Sequence, residues 1–107
     1  MEFSYGQGKY VEGQKDFIGL IVLAEHKLYL RGSEGDITQT YTPLEKIYCI
    51  KQERNSLHVF VRPSLYLKYQ VVVSGESDHI KELVKDVVSR RGFKKRLLKK
   101  EWVEVDC

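Results

Sequence analysis

The sequence predicts a mainly β domain: six to seven antiparallel strands in series, closed by one C-terminal α-helix. Three observations predict it. Short runs rich in Val, Ile, Leu and Tyr recur between residues 17 and 74, separated by turn residues at roughly 8–12-residue spacing, the pattern of an all-β chain. After Gly75 the hydrophobic period changes from 2 to 3.6, which marks an amphipathic helix. The 107 residues suit one small domain, because domains cluster near roughly 100 to 150 residues.

The expected strands are 17–23, 27–31, 37–42, 47–52, 57–62 and 66–74, with a weaker one at 9–12. Gly32 and Gly35 punctuate the chain after residue 31, and Asn55 supplies a turn position that accepts a left-handed backbone. Pro43 and Pro63 fall at strand margins, where a missing N–H costs no central ladder bond. Alternation assigns faces. Leu57, Val59 and Val61 share one, as do Leu67, Tyr69, Val71 and Val73. In the hairpin of residues 19–30, GLIVLAEHKLYL, the expected core residues are Leu20, Val22, Leu28 and Leu30.

The helix is expected over 78–91. Ile80, Leu83, Val84, Val87 and Val88 recur at i, i+3, i+4, i+7 and i+8 and form its apolar stripe. Ser77 is the expected N-cap, Asp78 complements the positive end of the helix dipole, and Gly92 follows Arg90 and Arg91 as a C′ glycine. Residues 1–8 read as a flexible entry segment, 9–91 as the domain and 92–107 as a basic extension.

Apolar residues make up 42% and charged residues 31% of the chain, a composition that builds a core and does not signal disorder. No apolar run approaches the roughly 18 residues of a transmembrane helix, and the first residues lack a signal-peptide pattern. The expected address is cytoplasmic. In that compartment Cys49 and Cys107 are expected as free thiols. His26, His58 and His79 have no companions at ligand spacing, so neither metal nor cofactor is expected.

Gly19, Leu28 and Tyr29, followed by Pro43, Leu44 and Ile47, form a glycine-led strand, a Leu-Tyr strand and a Pro-Leu-x-x-Ile segment. This pattern resembles the GRAM-like domains of the pleckstrin-homology-like superfold, including those of archaeal chemotaxis adaptors. The resemblance covers residues 9–91. Ala24 and Glu25 depart from it, standing where the turn usually has Thr and Asn. It implies an antiparallel sheet or barrel of six to seven strands with a closing helix, and binding rather than catalysis. Lipid-binding members crowd basic residues between the first two strands, whereas residues 12–17 here offer Lys15 against Glu12 and Asp16. Fold does not fix function, since this superfold binds peptides, ubiquitin-like proteins and lipids on different surfaces.

No phosphate-cradling loop, nucleophile elbow or zinc-protease motif occurs in the chain, so the expectation is a protein without enzymatic activity. Charge singles out the C-terminus. Residues 1–89 hold 11 Lys/Arg and 12 Asp/Glu, whereas 90–107 hold 7 and 3, a net +4. Basic Arg90, Arg91, Lys94, Lys95, Arg96, Lys99 and Lys100 interleave with Phe93, Leu97, Leu98 and Trp102. On a helix the basic residues form a stripe beside an apolar edge, and these eleven residues are the candidate partner-binding set. The leading expectation is a protein-interaction or adaptor domain whose partner is another protein. The alternative is a peripheral binder of anionic phospholipid or nucleic acid through this segment.

Overall fold

A computed structural model describes residues 2–92, 94–95 and 101–103, the last two stretches by their backbone alone. Seven strands precede the helix: β1 (Phe3–Glu12), β2 (Lys15–Leu23), β3 (Lys27–Gly32), β4 (Gly35–Pro43), β5 (Ile47–Gln52), β6 (Ser56–Ser64) and β7 (Leu67–Gly75). A 3-10 turn, Leu44–Lys46, joins β4 to β5, and α1 (Ser77–Arg91) follows β7. Short strands β8 (Lys94–Lys95) and β9 (Glu101–Val103) come last.

All pairings are antiparallel, in the order β4-β3-β2-β1-β7-β6-β5-β9-β8. The sheet is open. β4 and β5 are not hydrogen bonded to each other, so the strands do not close into a barrel. β1 joins the two meanders because it pairs with β2 on one side and β7 on the other. It starts at Phe3, so residues 3–8, expected as an entry segment, lie in the sheet. Two glycines among them, Gly6 and Gly8, hid this strand from a reading by β-propensity.

The hairpin β2–β3 is present, but β2 is out of phase with the expectation. Ile21 pairs with Leu30 and Leu23 with Leu28, and these four face the core. Leu20 and Val22 take the opposite face, opposite Arg31 and Tyr29. The run Leu20 to Leu23 is apolar at every position, so alternation could not select the inward set. The outer face also buries Val22 and Tyr29, packed where Tyr41 meets Tyr29 edge-on at 5.2 Å.

Helix α1 packs its stripe on the sheet. Ile80, Leu83, Val84 and Val87 are buried and Val88 is half-buried against the same cluster. Burial of four such side chains is worth a gross ~6–12 kcal/mol, before the entropy of ordering is subtracted. The N-cap is Glu76, not Ser77, which is already helical, and no side chain caps this end. At the other end Gly92 adopts φ 81° and donates its N–H to the Val88 carbonyl at 2.8 Å, a left-handed stop that glycine adopts without strain. The helix therefore ends there. The expected end at Arg91 is the observed one; residues 94–95 and 101–103 are extended, so the helical stripe considered for the tail is absent there.

β9 pairs with the β5 edge, with Val103 opposite Cys49. Cys49 is buried and disulfide-bonded, not the free thiol expected. Pairing along β5 brings the C-terminal stretch beside it. The only other cysteine, Cys107, lies outside the described residues. No described helix is long and apolar enough to cross a membrane.

Two tyrosines tie the first strand to its surroundings. Tyr5 donates its hydroxyl to Asp86 Oδ2 on α1 at 2.6 Å, and Tyr10 donates to Glu12 Oε1 at 3.0 Å. Burial, reinforced by these carboxylates, pushes both phenols well above the ordinary 10.0. A phenol that ionises more readily in the unfolded chain leaves stability intact below pH 10 and withdraws it as pH rises toward the folded value.

Two outcomes follow from this packing. Val84→Asp places an unpaired charge beneath the helix and should cost roughly 3–5 kcal/mol in urea denaturation; a midpoint equal to the parent's would mean the helix is not docked. Between pH 9 and 11 the parent should lose stability with rising pH, and Tyr5→Phe should flatten that slope, as read by thermal melts across the series.

Candidate functional site

The C-terminal candidates separate at the end of the helix. Arg90 Nη1 donates to the Ala24 carbonyl at 2.6 Å and its guanidinium carbon lies 5.1 Å from the Phe3 ring centroid. Arg91 Nε donates to the Ile47 carbonyl at 3.1 Å. These two arginines lash the helix terminus to the β2–β3 turn and to the start of β5. They also wall a cleft of about 890 Å³ with Glu25, His26, Lys27, Pro43, Leu44 and Glu45. Lys94, Lys95 and Trp102 are placed by their backbone only, in β8 and β9. Phe93, Arg96, Leu97, Leu98, Lys99 and Lys100 lie outside the described residues.

The outer face of β3 and β4 holds a charged and aromatic network. Arg31 binds Asp36 Oδ1 through Nε at 2.8 Å and Glu2 Oε2 through Nη2 at 2.9 Å, and Nη2 also reaches the Tyr29 hydroxyl at 2.7 Å. Lys27 Nζ sits 3.8 Å from the Tyr41 ring centroid. The Arg31 hydrogen bonds hold Glu2 and Asp36 below the ordinary carboxylate range. Its charges answer one another, so this network pins strands together and offers little to a ligand.

A free sheet edge is a ready template for another strand, and β4 is such an edge. It is guarded. Between Leu28 and Leu30 its register shifts, and there Thr40 Oγ1 accepts the Leu30 N–H at 2.8 Å while donating to the Ile37 carbonyl at 2.6 Å. The bulge interrupts the row of groups that an added strand would need.

The tip of the β6–β7 hairpin is different. Leu65 is 83% exposed, Tyr66 97% and Leu67 54%. The hairpin outruns its neighbours. β1 last pairs with β7 at Val72, β5 first pairs with β6 at Val61, and β6–β7 pairing continues to Ser64 opposite Leu67. β1 itself runs on to Glu12, and its turn lies beside Tyr69 and Gln70, so the hairpin stands clear of it by about three residues, roughly 10 Å at about 3.3 Å per residue. At the base of this projection Arg62 lies 4.8 Å and Lys68 5.7 Å from the Tyr48 ring centroid. Neither forms an ion pair with a described residue.

Reading the sequence missed this tip because the alternation of β7 runs through it, and Leu67 was expected on the core face. Leu67 is instead exposed past the register shift between Val61 and Ser64. Pro63-Ser64 before Leu65 was the available signal, since it breaks strand propensity where the apolar pattern continues.

His58 Nδ1 lies 3.0 Å from Gln70 Nε2 and its Nε2 lies 3.2 Å from Glu53 Oε1. Among the described residues no group of three or more His, Cys, Asp or Glu is arranged to hold a metal ion.

Because the tip residues touch little of the domain, Leu65→Ser and Tyr66→Ser should each leave stability within about 0.5 kcal/mol of the parent, as measured by urea denaturation. A larger loss would show that the tip is packed as part of the fold. No protein-family model matches the chain, and no curated protein is similar enough to count as a relative.

Proposed function

We propose that this chain is a non-catalytic docking module of the adaptor kind, built on a pleckstrin-homology-like architecture, and that its working surface is the β6–β7 tip. The observation that carries this reading is the exposure of Leu65, Tyr66 and Leu67 on one projecting hairpin while the apolar residues of every other strand are spent mainly on the core. Exposed apolar residues clustered in one place, with a polar rim, characterise interaction surfaces. The architecture is supported by the strand order, two antiparallel meanders joined through β1, and by the single helix after β7.

The basic C-terminal segment is a weaker working surface. Two of its seven cations, Arg90 and Arg91, are occupied in holding the helix end to Ala24 and Ile47. The disulfide at Cys49 favours an oxidising compartment over the cytoplasm.

The test is site-specific photocrosslinking in cells. Benzoylphenylalanine in place of Tyr66 should yield a covalent adduct with a second macromolecule, whether protein or lipid, while the same group at exposed Gln39 on β4 should not. Absence of any adduct at position 66, or equal adducts at both positions, would overturn the reading.

A further inference from the structure

We propose that the disulfide at Cys49 is a redox latch that fastens the C-terminal strand β9 over the edge of β5, and that a dithiol reductant opens this edge. The inference concerns a surface other than the β6–β7 tip and does not rest on the docking reading. Both edges of a sheet need a guard against an added strand. At the β4 edge the guard is the bulge around Thr40. The opposite end of the seven-strand sheet is β5, and β9 covers it, with Cys49 opposite Val103, Ile50 opposite Trp102 and Lys51 opposite Glu101. Opposite charges at the last of these pairs suit that register.

Pairing alone makes a weak cover. β9 has three residues and its neighbour β8 has two, whereas even a complete two-stranded hairpin is marginally stable in water. Gly92 ends α1, so the apolar stripe that docks the helix stops before this segment begins. The covalent bond falls where the ladder is. With no described cysteine left free and one other in the sequence, the partner of Cys49 is Cys107. Val103 is opposite Cys49 and four positions before Cys107, so one bond and one ladder hold the same short stretch to the same strand. A crosslink of this kind takes away the freedom that the segment would gain on leaving.

The burial of Cys49 points to the same cover. Cys49 is fully buried, yet it does not belong to the core cluster that contains its strand neighbours Ile47 and Ile50. It is opposite Phe60, on the face turned away from that cluster. Water is therefore kept from Cys49 on the outer side, where Val103 is its strand neighbour. Reduction leaves the core intact, because a free cysteine is a small side chain that tolerates burial. In the exchange a thiolate of the dithiol attacks one sulfur of the bond and displaces the other, and the reductant's second thiol then attacks the mixed disulfide. The S–S bond of the chain breaks, one forms within the oxidised reductant, and two hydrogens pass from the dithiol to Cys49 and Cys107. What opens is the edge of β5, whose backbone groups then stand as a template for an added strand.

The experiment is hydrogen–deuterium exchange of the full chain, read by mass spectrometry, for the oxidised protein, for the protein in dithiothreitol and for Cys107→Ser. Reduction should lower the protection of amides 49–51 and 101–103 by roughly tenfold or more, the factor that corresponds to about 1.4 kcal/mol. Amides 57–61 of β6 and 71–73 of β7 should keep theirs. Cys107→Ser should show the opened pattern without reductant and should not respond to it, and reoxidation of the parent should restore the covered pattern. Equal protection of 49–51 before and after reduction overturns the inference, since the ladder would then hold without the bond. A loss spread through β6, β7 and α1 overturns it as well, because the disulfide would then staple the whole fold. So does a dimer on a non-reducing gel, which would show the bond joining two copies. None of these outcomes alters the adducts expected from benzoylphenylalanine at position 66, so the docking reading stands or falls separately.

Discussion

The close passage of three backbones at Gly8 governs the architecture. Gly8 pairs with Gly19 on one side and with Gly75 on the other, so a row of glycines crosses β2, β1 and β7. A methyl group at Gly8 would strike the Ile21 side chain and come within 2.5 Å of the Ser74 carbonyl oxygen, and one at Gly19 would meet the Arg31 carbonyl oxygen at 2.8 Å. Only hydrogen side chains let the sheet bend this tightly. Among the described strands the two meanders pair with each other only through β1 and β7, so the course of β1 decides whether they enclose a common interior. Given that enclosure, α1 has an apolar bed, and Tyr5 can reach Asp86 while Arg90 and Arg91 reach Ala24 and Ile47.

Period and turn chemistry made most of this fold legible. The 47–52 strand coincides with β5 to the residue, and the helix stripe is buried as its spacing requires. Where alternation lost its contrast, the reading slipped. Leu20 to Leu23 is apolar on both faces because Tyr29, Tyr41 and Lys27 cover the outer one, so the inward phase depended on a tertiary contact invisible in a local window. The entry segment was hidden for the opposite reason. Its glycines weaken local strand propensity, yet pairing with both neighbours demands them.

The candidate site was less legible still. The charge run at 90–100 drew attention because net charge is countable in a sequence, but Arg90 and Arg91 serve the fold. Leu65, Tyr66 and Leu67 drew none because apolar residues after a strand look like more strand. What separates them from core residues is register: the partner strands β1 and β5 end before the hairpin does. Hairpin length relative to neighbours is a property of the assembled sheet, and no single segment encodes it.

Core and tip meet at one irregularity in β5. Ile47 faces Val61, and Cys49 faces Phe60, so Tyr48 is the extra residue of a β-bulge. The insertion lets both Ile47 and Ile50 face the core although they are three apart, a spacing that plain alternation forbids. It also sets the Tyr48 ring against Arg62 and Lys68. A cation held near an aromatic face gives up conformational freedom before any partner arrives, so less remains to be lost on binding. The same extra residue that completes the core thereby orders the charges behind the tip, and its position explains how a domain with an ordinary interior presents an apolar, positive and preorganised projection at one end.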